Sequence, residues 1–251
     1  KETGKKVVVI DNMASEDLAD AAVMPYADIK GRKRMDNLYS GSPYVVIGES
    51  FLRARLAARP RAPGSLIPPP PPPPLNLLVT MGGADPNNLT DKVVEALWDM
   101  KDVAATVVLG PASKPSLWLR SRMMDNNSGF VFVEKAADLS MLMASAHIAF
   151  TAVGITVYEL AFMGVPSVII ANYMEDTAFL DAFANAGFSL PLGYHGDVTH
   201  QSIRDAASRF IRDRALLKDM STRAVNFTDG LGAGRIAGII ARLGVAQASS
   251  C

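Results

Sequence analysis

The residues whose types and spacing could do chemistry fall in two glycine-containing stretches. The first is Met81-Gly82-Gly83-Ala84-Asp85-Pro86-Asn87, and the second runs from Thr151 to Pro166 (TAVGITVYELAFMGVP). Paired glycines let a backbone approach a ligand closely, and a helix that follows such a turn directs free N–H groups at an anion. In the second stretch Gly154 and Thr156 sit where a strand would turn into a helix. Glu159 follows within the first turns. A carboxylate there can accept hydrogen bonds from a sugar's hydroxyls while the N–H groups face phosphate. The same residues also fit a purely structural role. Asp85, Asn87 or Asn88 would then cap a helix, and Glu159 would be an exposed helix residue.

Both stretches need strands to aim them. His147-Ile148-Ala149-Phe150 reads as a short buried strand before the second stretch. Val157, Leu160 and Ala161 recur at i, i+3 and i+4 as one apolar helix face. Gly164 and Pro166 stop that helix, and Val168-Ile169-Ile170 opens another strand. Upstream, Leu77–Met81 is a strand, Asn88–Met100 a helix and Ala104–Leu109 a strand ending in Gly110-Pro111. A helix over Trp118–Met124, a strand over Phe130–Val133 and a helix over Leu139–Ala146 follow. Downstream come a helix over Thr177–Ala186, a strand over Phe188–Leu192 and helices over Gln201–Asp213, Leu216–Asn226 and Arg235–Leu243. This alternation predicts parallel strands with right-handed crossovers, a doubly wound α/β domain spanning residues 75–247. Two glycine loops from strands of one such sheet can then reach one crevice at the strands' carboxyl ends.

The preceding segment is thinner. Lys5–Ile10 is a strand ending at Asp11-Asn12, Asp17–Ala22 a short helix, and Ala22–Pro25 and Tyr44–Gly48 are further strands. Residues 1–58 therefore read as the remnant of an N-terminal domain, and the abrupt start suggests a fragment lacking earlier strands. Between the two lies a proline-rich linker, 59–74, with seven consecutive prolines at Pro68–Pro74. Such a run adopts polyproline II and spans roughly 22 Å, a stiff spacer in preference to a groove ligand.

Bulk composition excludes several functions. The chain has 251 residues, a formal net charge of zero and scattered basic residues, so it carries no footprint for nucleic acid. Lys30, Arg32, Lys33 and Arg34 read as a solvated loop. One cysteine, Cys251, and three histidines without metal-ligand spacing leave no metal site to build. No apolar run reaches membrane-spanning length and no signal pattern opens the chain, so a cytoplasmic protein without membrane insertion is expected.

Met81-Gly82-Gly83-Ala84-Asp85-Pro86 with Asn88-Leu89-Thr90, and Thr151…Gly154-Ile155-Thr156…Tyr158-Glu159-Leu160…Gly164-Val165-Pro166, carry a resemblance. So do Asp229-Gly230-Leu231-Gly232-Ala233 with Arg235-Ile236, Val8–Asn12 and Tyr44–Phe51. The chain resembles the UDP-sugar hydrolases of pseudaminic acid biosynthesis and the related spore-coat polysaccharide proteins. Its C-terminal half is similar to the lipid II N-acetylglucosaminyltransferase. The resemblance implies a GT-B-like architecture of two Rossmann-like domains, the N-terminal one incomplete here, and a UDP-sugar as partner without a cofactor. It places Gly82, Gly83 and Asp85 on the diphosphate side, with Thr151, Gly154, Ile155 and Thr156 around the phosphate at the helix N-terminus. Glu159 would take the ribose hydroxyls, and Asn172 would stand where the family often has Asn-Gln.

The implied reaction is hydrolysis of a UDP-linked diacetamido-trideoxy sugar, water attacking the anomeric carbon, with glycosyl transfer or binding without turnover as alternatives. The family's catalytic imidazole comes from an N-terminal Gly-x-Gly-His loop that no residue here matches, and His195 and His200 read as surface histidines. Two departures stand out. Glu175-Asp176 puts an acidic pair near the expected diphosphate, and Val153 replaces a glycine common in that loop.

Overall fold

The computed structural model describes residues 6–11, 19–25, 38–57, 74–125 and 129–248. These form two compact units, one of residues up to Gly48 together with Thr228 onward, the other of Glu49–Phe227.

In the first unit three short parallel strands, β1 (Val8–Ile10), β2 (Ala21–Met24) and β3 (Leu38–Ser40), pair in the order β1-β2-β3. A 3-10 turn, Ser42–Tyr44, follows β3. In the second unit a helix, α1 (Glu49–Ala57), precedes β4 (Leu75–Thr80), α2 (Leu89–Leu97), β5 (Val103–Leu109) and α3 (Leu117–Met123). The chain continues with β6 (Phe130–Glu134), α4 (Ser140–Ser145), β7 (Ile148–Ala152), α5 (Ile155–Met163) and β8 (Ser167–Ala171). It ends with α6 (Thr177–Asn185), β9 (Ser189–Tyr194), α7 (His200–Arg212) and α8 (Arg214–Val225). The first unit is completed by the terminal helix α9 (Gly232–Ala248).

The second unit's six strands are all parallel, in the order β6-β5-β4-β7-β8-β9. Strand order reverses between β4 and β7, which therefore open a crevice at their carboxyl ends. Strands β7 and β8 are buried along their whole lengths, as expected for central strands covered on both faces. The edge strand β9 carries Pro191 beside a register shift between Ile169 and Ile170, where a missing N–H is tolerated. The core joins Leu77, Val79, Phe150 and Val168 of the sheet to Leu89, Val93, Ile203 and Phe210 of the helices. On α5, Val157, Leu160 and Ala161 are buried as their spacing predicts. Tyr158 is buried too, packing edge-on to Phe183.

Several expectations differ from what is found. Tyr44–Gly48 is not a strand. Pro43 sits in the first turn of the 3-10 segment Ser42–Tyr44, the amides of Tyr44 and Val45 bond back to Gly41 and Ser42, and the strand is Leu38–Ser40. The alternation of buried Val45 and Ile47 with exposed Val46 is real, but no ladder accompanies it among the described residues. Ala21 and Ala22, expected to end a helix from Asp17, belong to β2, and the rest of that segment up to residue 18 lies outside the described residues. So do the basic run, Asn12, and the proline run except Pro74. Unit boundaries also differ from the division at residues 58 and 75. Helix α1 buries Phe51 and Ala54 and packs with α4 and α5, which puts it in the second unit. Helix α9 buries Ile236 and Ile239 against Ala21 and Val23, which puts it in the first.

Candidate functional site

A cleft of about 280 Å³ opens at the carboxyl ends of β4, β7 and β8. Three segments wall it: Met81–Pro86 after β4, the end of β7 through Thr156, and Asn172-Tyr173 after β8. The topology thus brings Gly82, Gly83, Asp85, Thr151, Gly154, Ile155, Thr156 and Asn172 together, although about 90 residues of chain separate the first from the last. Glu159 is not on the wall of this cleft.

Helix α5 gives the cleft its electrostatic character. No side chain caps it. The Val157 amide donates to the Gly154 carbonyl at 3.1 Å, while the amides of Ile155 and Thr156 have no acceptor among the described residues. A helix N-terminus carries roughly half a positive charge, so these amides suit an anion. Gly154, Gly82 and Gly83 leave room for one, since a methyl on any of them would meet nothing within 4 Å.

Asp85 lines the cleft, and its carboxylate is engaged by a neighbouring helix. It is 5% exposed and its two carboxylate oxygens accept from the amides of Leu89 (2.8 Å) and Thr90 (2.9 Å). It caps α2, consuming the donors that helix could have offered a ligand and adding its own negative charge. Its backbone, at φ +43°, sits in the left-handed region that Asp tolerates better than most residues. Asp85 therefore caps α2 while also lining the cleft, and α5 is the helix whose first amides are left open.

Gly110 is the residue that sequence reasoning missed. A Cβ on it would overlap the carbonyl oxygens of Gly82 and Gly83. The β5 turn lies directly against the glycine turn and steadies it, the Ala112 amide donating to the Gly83 carbonyl at 2.9 Å. The only local signal was a Gly-Pro pair ending a strand.

Glu159 is half-buried on α5, which packs with α4. Burial pushes its carboxyl pKa up, and the neighbouring charge of Asp138 adds to this. Asp138, ahead of α4, is held low by accepting from the Ser140 amide at 2.8 Å, with Ser50 and Arg53 of α1 also beside it. The Glu159 carboxylate thus stands on the α4 side of α5, whereas Asn172 and Tyr173 approach from β8.

Around β8 the acidic pair leaves the cleft clear. Glu175 is exposed, Asp176 accepts from the Tyr173 amide at 3.1 Å, and neither lines the wall. Val153 does line it, its amide donating to Ile170 at 3.2 Å. None of the three histidines lines the cleft. His147 is at the other end of the sheet, its Nδ1 accepting from the Asn76 amide at 3.0 Å. His195 is half-buried beside Tyr194 and His200 is an exposed neighbour of Glu95 at 3.3 Å. Among the described residues no cluster of acidic, histidine or cysteine side chains could hold a metal, and no helix is long and apolar enough to cross a membrane.

No family model matches the chain. It is 28% identical over 248 residues to the spore coat polysaccharide biosynthesis protein SpsG of Bacillus subtilis, covering 95% of this chain and 70% of that protein. An uncharacterised protein of Methanocaldococcus jannaschii is 26% identical over 84% of this chain, which spans 46% of that relative's length. Among solved structures, MurG of Acinetobacter baumannii superposes with a TM-score of 0.66 at 15% identity, covering 96% of this chain and 69% of MurG. The MnaA–UDP complex of S. aureus gives 0.59 at 15% identity, over 89% of this chain and 59% of MnaA. The spinosyn rhamnosyltransferase SpnG with thymidine diphosphate gives 0.56 at 16% identity, over 88% and 57%. The fold is α/β and GT-B-like, and the chain is similar in sequence to a polysaccharide biosynthesis protein.

Proposed function

We propose that the cleft binds the diphosphate of a UDP-sugar, and that the chain belongs to an enzyme that hydrolyses a UDP-linked diacetamido-trideoxy sugar. The observation that carries this is the uncapped N-terminus of α5, whose free amides share one open cleft with Gly82 and Gly83. Its support from relatives is the similarity to a spore-coat polysaccharide protein and a fold shared with a UDP-bound structure. On this reading Ile155 and Thr156 hold the diphosphate, and Gly154 keeps the approach open. Glu159 accepts from the ribose hydroxyls on the α4 side. The reaction breaks the bond between the anomeric carbon and the diphosphate oxygen. Water adds to that carbon and loses a proton, and UDP departs with the bonding electrons. The helix N-terminus stabilises the charge that develops on the departing oxygen. No described histidine is placed to take the water's proton.

Glycosyl transfer is the second reading, favoured by the fold shared with a rhamnosyltransferase. It breaks the same bond and replaces water with an acceptor hydroxyl. Calorimetry of the chain with UDP tests the site. Binding in a one-to-one ratio that is weakened in Glu159→Ala is expected, and absence of binding would remove the reading. Release of UDP from a UDP-sugar without added acceptor separates hydrolysis from transfer.

A further inference from the structure

Asn87 and Asn172 meet across the cleft's rim, one from the loop after β4 and the other from the loop after β8. The Nδ2 of Asn87 donates to two oxygens of Asn172, the backbone carbonyl at 3.1 Å and the side-chain Oδ1 at 3.1 Å. A backbone carbonyl can only accept, so the amino group of Asn87 must be the end that faces it. That choice fixes the second amide as well. With an amino group already turned towards it, Asn172 has to present its carbonyl oxygen, because a second amino group there would set N–H against N–H with nothing between them to accept. Its own amino group is left on the other side. Asn172 is 9% exposed and lines the cleft, and its Nδ2 has no acceptor among the described residues. A donor left open on the wall of a cleft can be taken up by an acceptor that enters it.

We infer that Asn87 is a positioning residue that turns the Asn172 amide so that its amino group, not its carbonyl, faces an oxygen of the bound diphosphate. The inference rests on the reading that the diphosphate sits at the N-terminus of α5, in the same cleft. Diphosphate oxygens only accept, so the amino group attracts them and a carbonyl in its place would repel them. Asn87 acts entirely through Asn172, since it does not itself line the cleft.

The test is UDP calorimetry on the whole chain, with thermal unfolding of each variant as a fold control. Asn87→Asp sets a carboxylate against both oxygens of Asn172. The Asn172 amide then rotates to donate to that carboxylate and shows its carbonyl to the cleft. UDP binding is expected to weaken by about tenfold or more, the scale of a lost hydrogen bond to a charged group. Asn87→Ser, whose shorter side chain no longer reaches either oxygen, frees the Asn172 amide without reversing it and is expected to weaken UDP binding by about threefold, less than Asn87→Asp. In an Asn172→Ala background the same Asn87→Asp change is expected to alter UDP binding by less than about twofold, because the group it acts through is gone. An equal loss in both backgrounds would overturn the positioning role and assign the effect to charge or loop damage. No loss in either would overturn it too. If the unsubstituted chain binds no UDP, the diphosphate reading itself falls and takes this one with it.

Discussion

Gly83 and Gly110 lie against each other yet should respond unequally to the same substitution. A methyl on Gly83 meets open space and its φ is not in the left-handed region, whereas one on Gly110 overlaps backbone oxygens that cannot move aside cheaply. Gly110→Ala is expected to lose about 2 kcal/mol of stability, the scale of overpacking, and Gly83→Ala less than about 0.5 kcal/mol. Urea unfolding checks the pair, and equal losses would refute the contact. The glycine turn was legible in the sequence because paired glycines before a helix have a local meaning. Gly110 was not, because its constraint comes from a loop more than 25 residues away. Glu159 adds a second residue-scale expectation. Its carboxyl pKa is raised by burial in the fold, so ionising it opposes folding once the pH exceeds the ordinary carboxyl value of 4.5. Glu159→Gln removes that opposition and is expected to raise the unfolding midpoint at pH 7 while weakening UDP binding. A variant that loses both would show the carboxylate to be structural.

At the scale of elements, α2 and α5 each follow a loop that lines one cleft, and only α5 begins without a side-chain cap. Asp85 ends the ambiguity by giving both oxygens to α2, a role the sequence allowed through its N-cap possibilities without deciding among three adjacent candidates. Asp85→Ala is expected to cost about 1–2 kcal/mol, as for other cap removals, read from chemical denaturation. The opposite end of the sheet holds a pH-dependent tie. His147 Nδ1 accepts from the Asn76 amide, joining the starts of β7 and β4, and this requires the neutral ring. Burial first, and the charge of Arg214 second, lower its pKa below the ordinary 6.5. A histidine depressed in the folded state contributes stability that is fully present above about pH 6.5 and is lost as the pH falls below it. The drop in unfolding midpoint from pH 7.5 to 5.5 is therefore expected to be smaller in His147→Gln than in the unsubstituted chain. The strand alternation that predicted β4–β9 carried no sign of this tie, since apolar periodicity says nothing about which ring nitrogen meets which amide.

On the scale of the whole molecule, the chain's last motif belongs to its first segment. Asp229 and Arg235 form a two-pronged pair at 2.7 and 2.6 Å, and Arg235 also donates to the Pro43 carbonyl at 3.0 Å. Gly232 lies so close to the Val45 carbonyl that any side chain would overlap it. The Asp-Gly-x-Gly-Ala-x-Arg-Ile pattern therefore docks α9 beside the 3-10 turn in the first unit. Linear reading put it in the second because domains are expected to be continuous, and only the burial of Ile236 and Ile239 against β2 reveals the return. The cleft at the carboxyl ends of β4, β7 and β8, by contrast, is lined wholly by residues between Met81 and Tyr173. The two should be separable in solution. Arg235→Lys keeps the charge but loses the fork and the bond to Pro43, and is expected to lower the unfolding midpoint of the first unit. The arginine's partner sharpens the expectation with pH. Its hydrogen bond from Arg235 holds Asp229 down to about 2, so this support is complete above about pH 4 and fades as the pH falls towards 2. UDP affinity at pH 7 should stay within about twofold in Arg235→Lys, because neither Arg235 nor its partners Asp229 and Pro43 line the cleft. Loss of UDP binding in that variant would mean that the nucleotide site reaches beyond the second unit, and would require the cleft's boundaries to be redrawn.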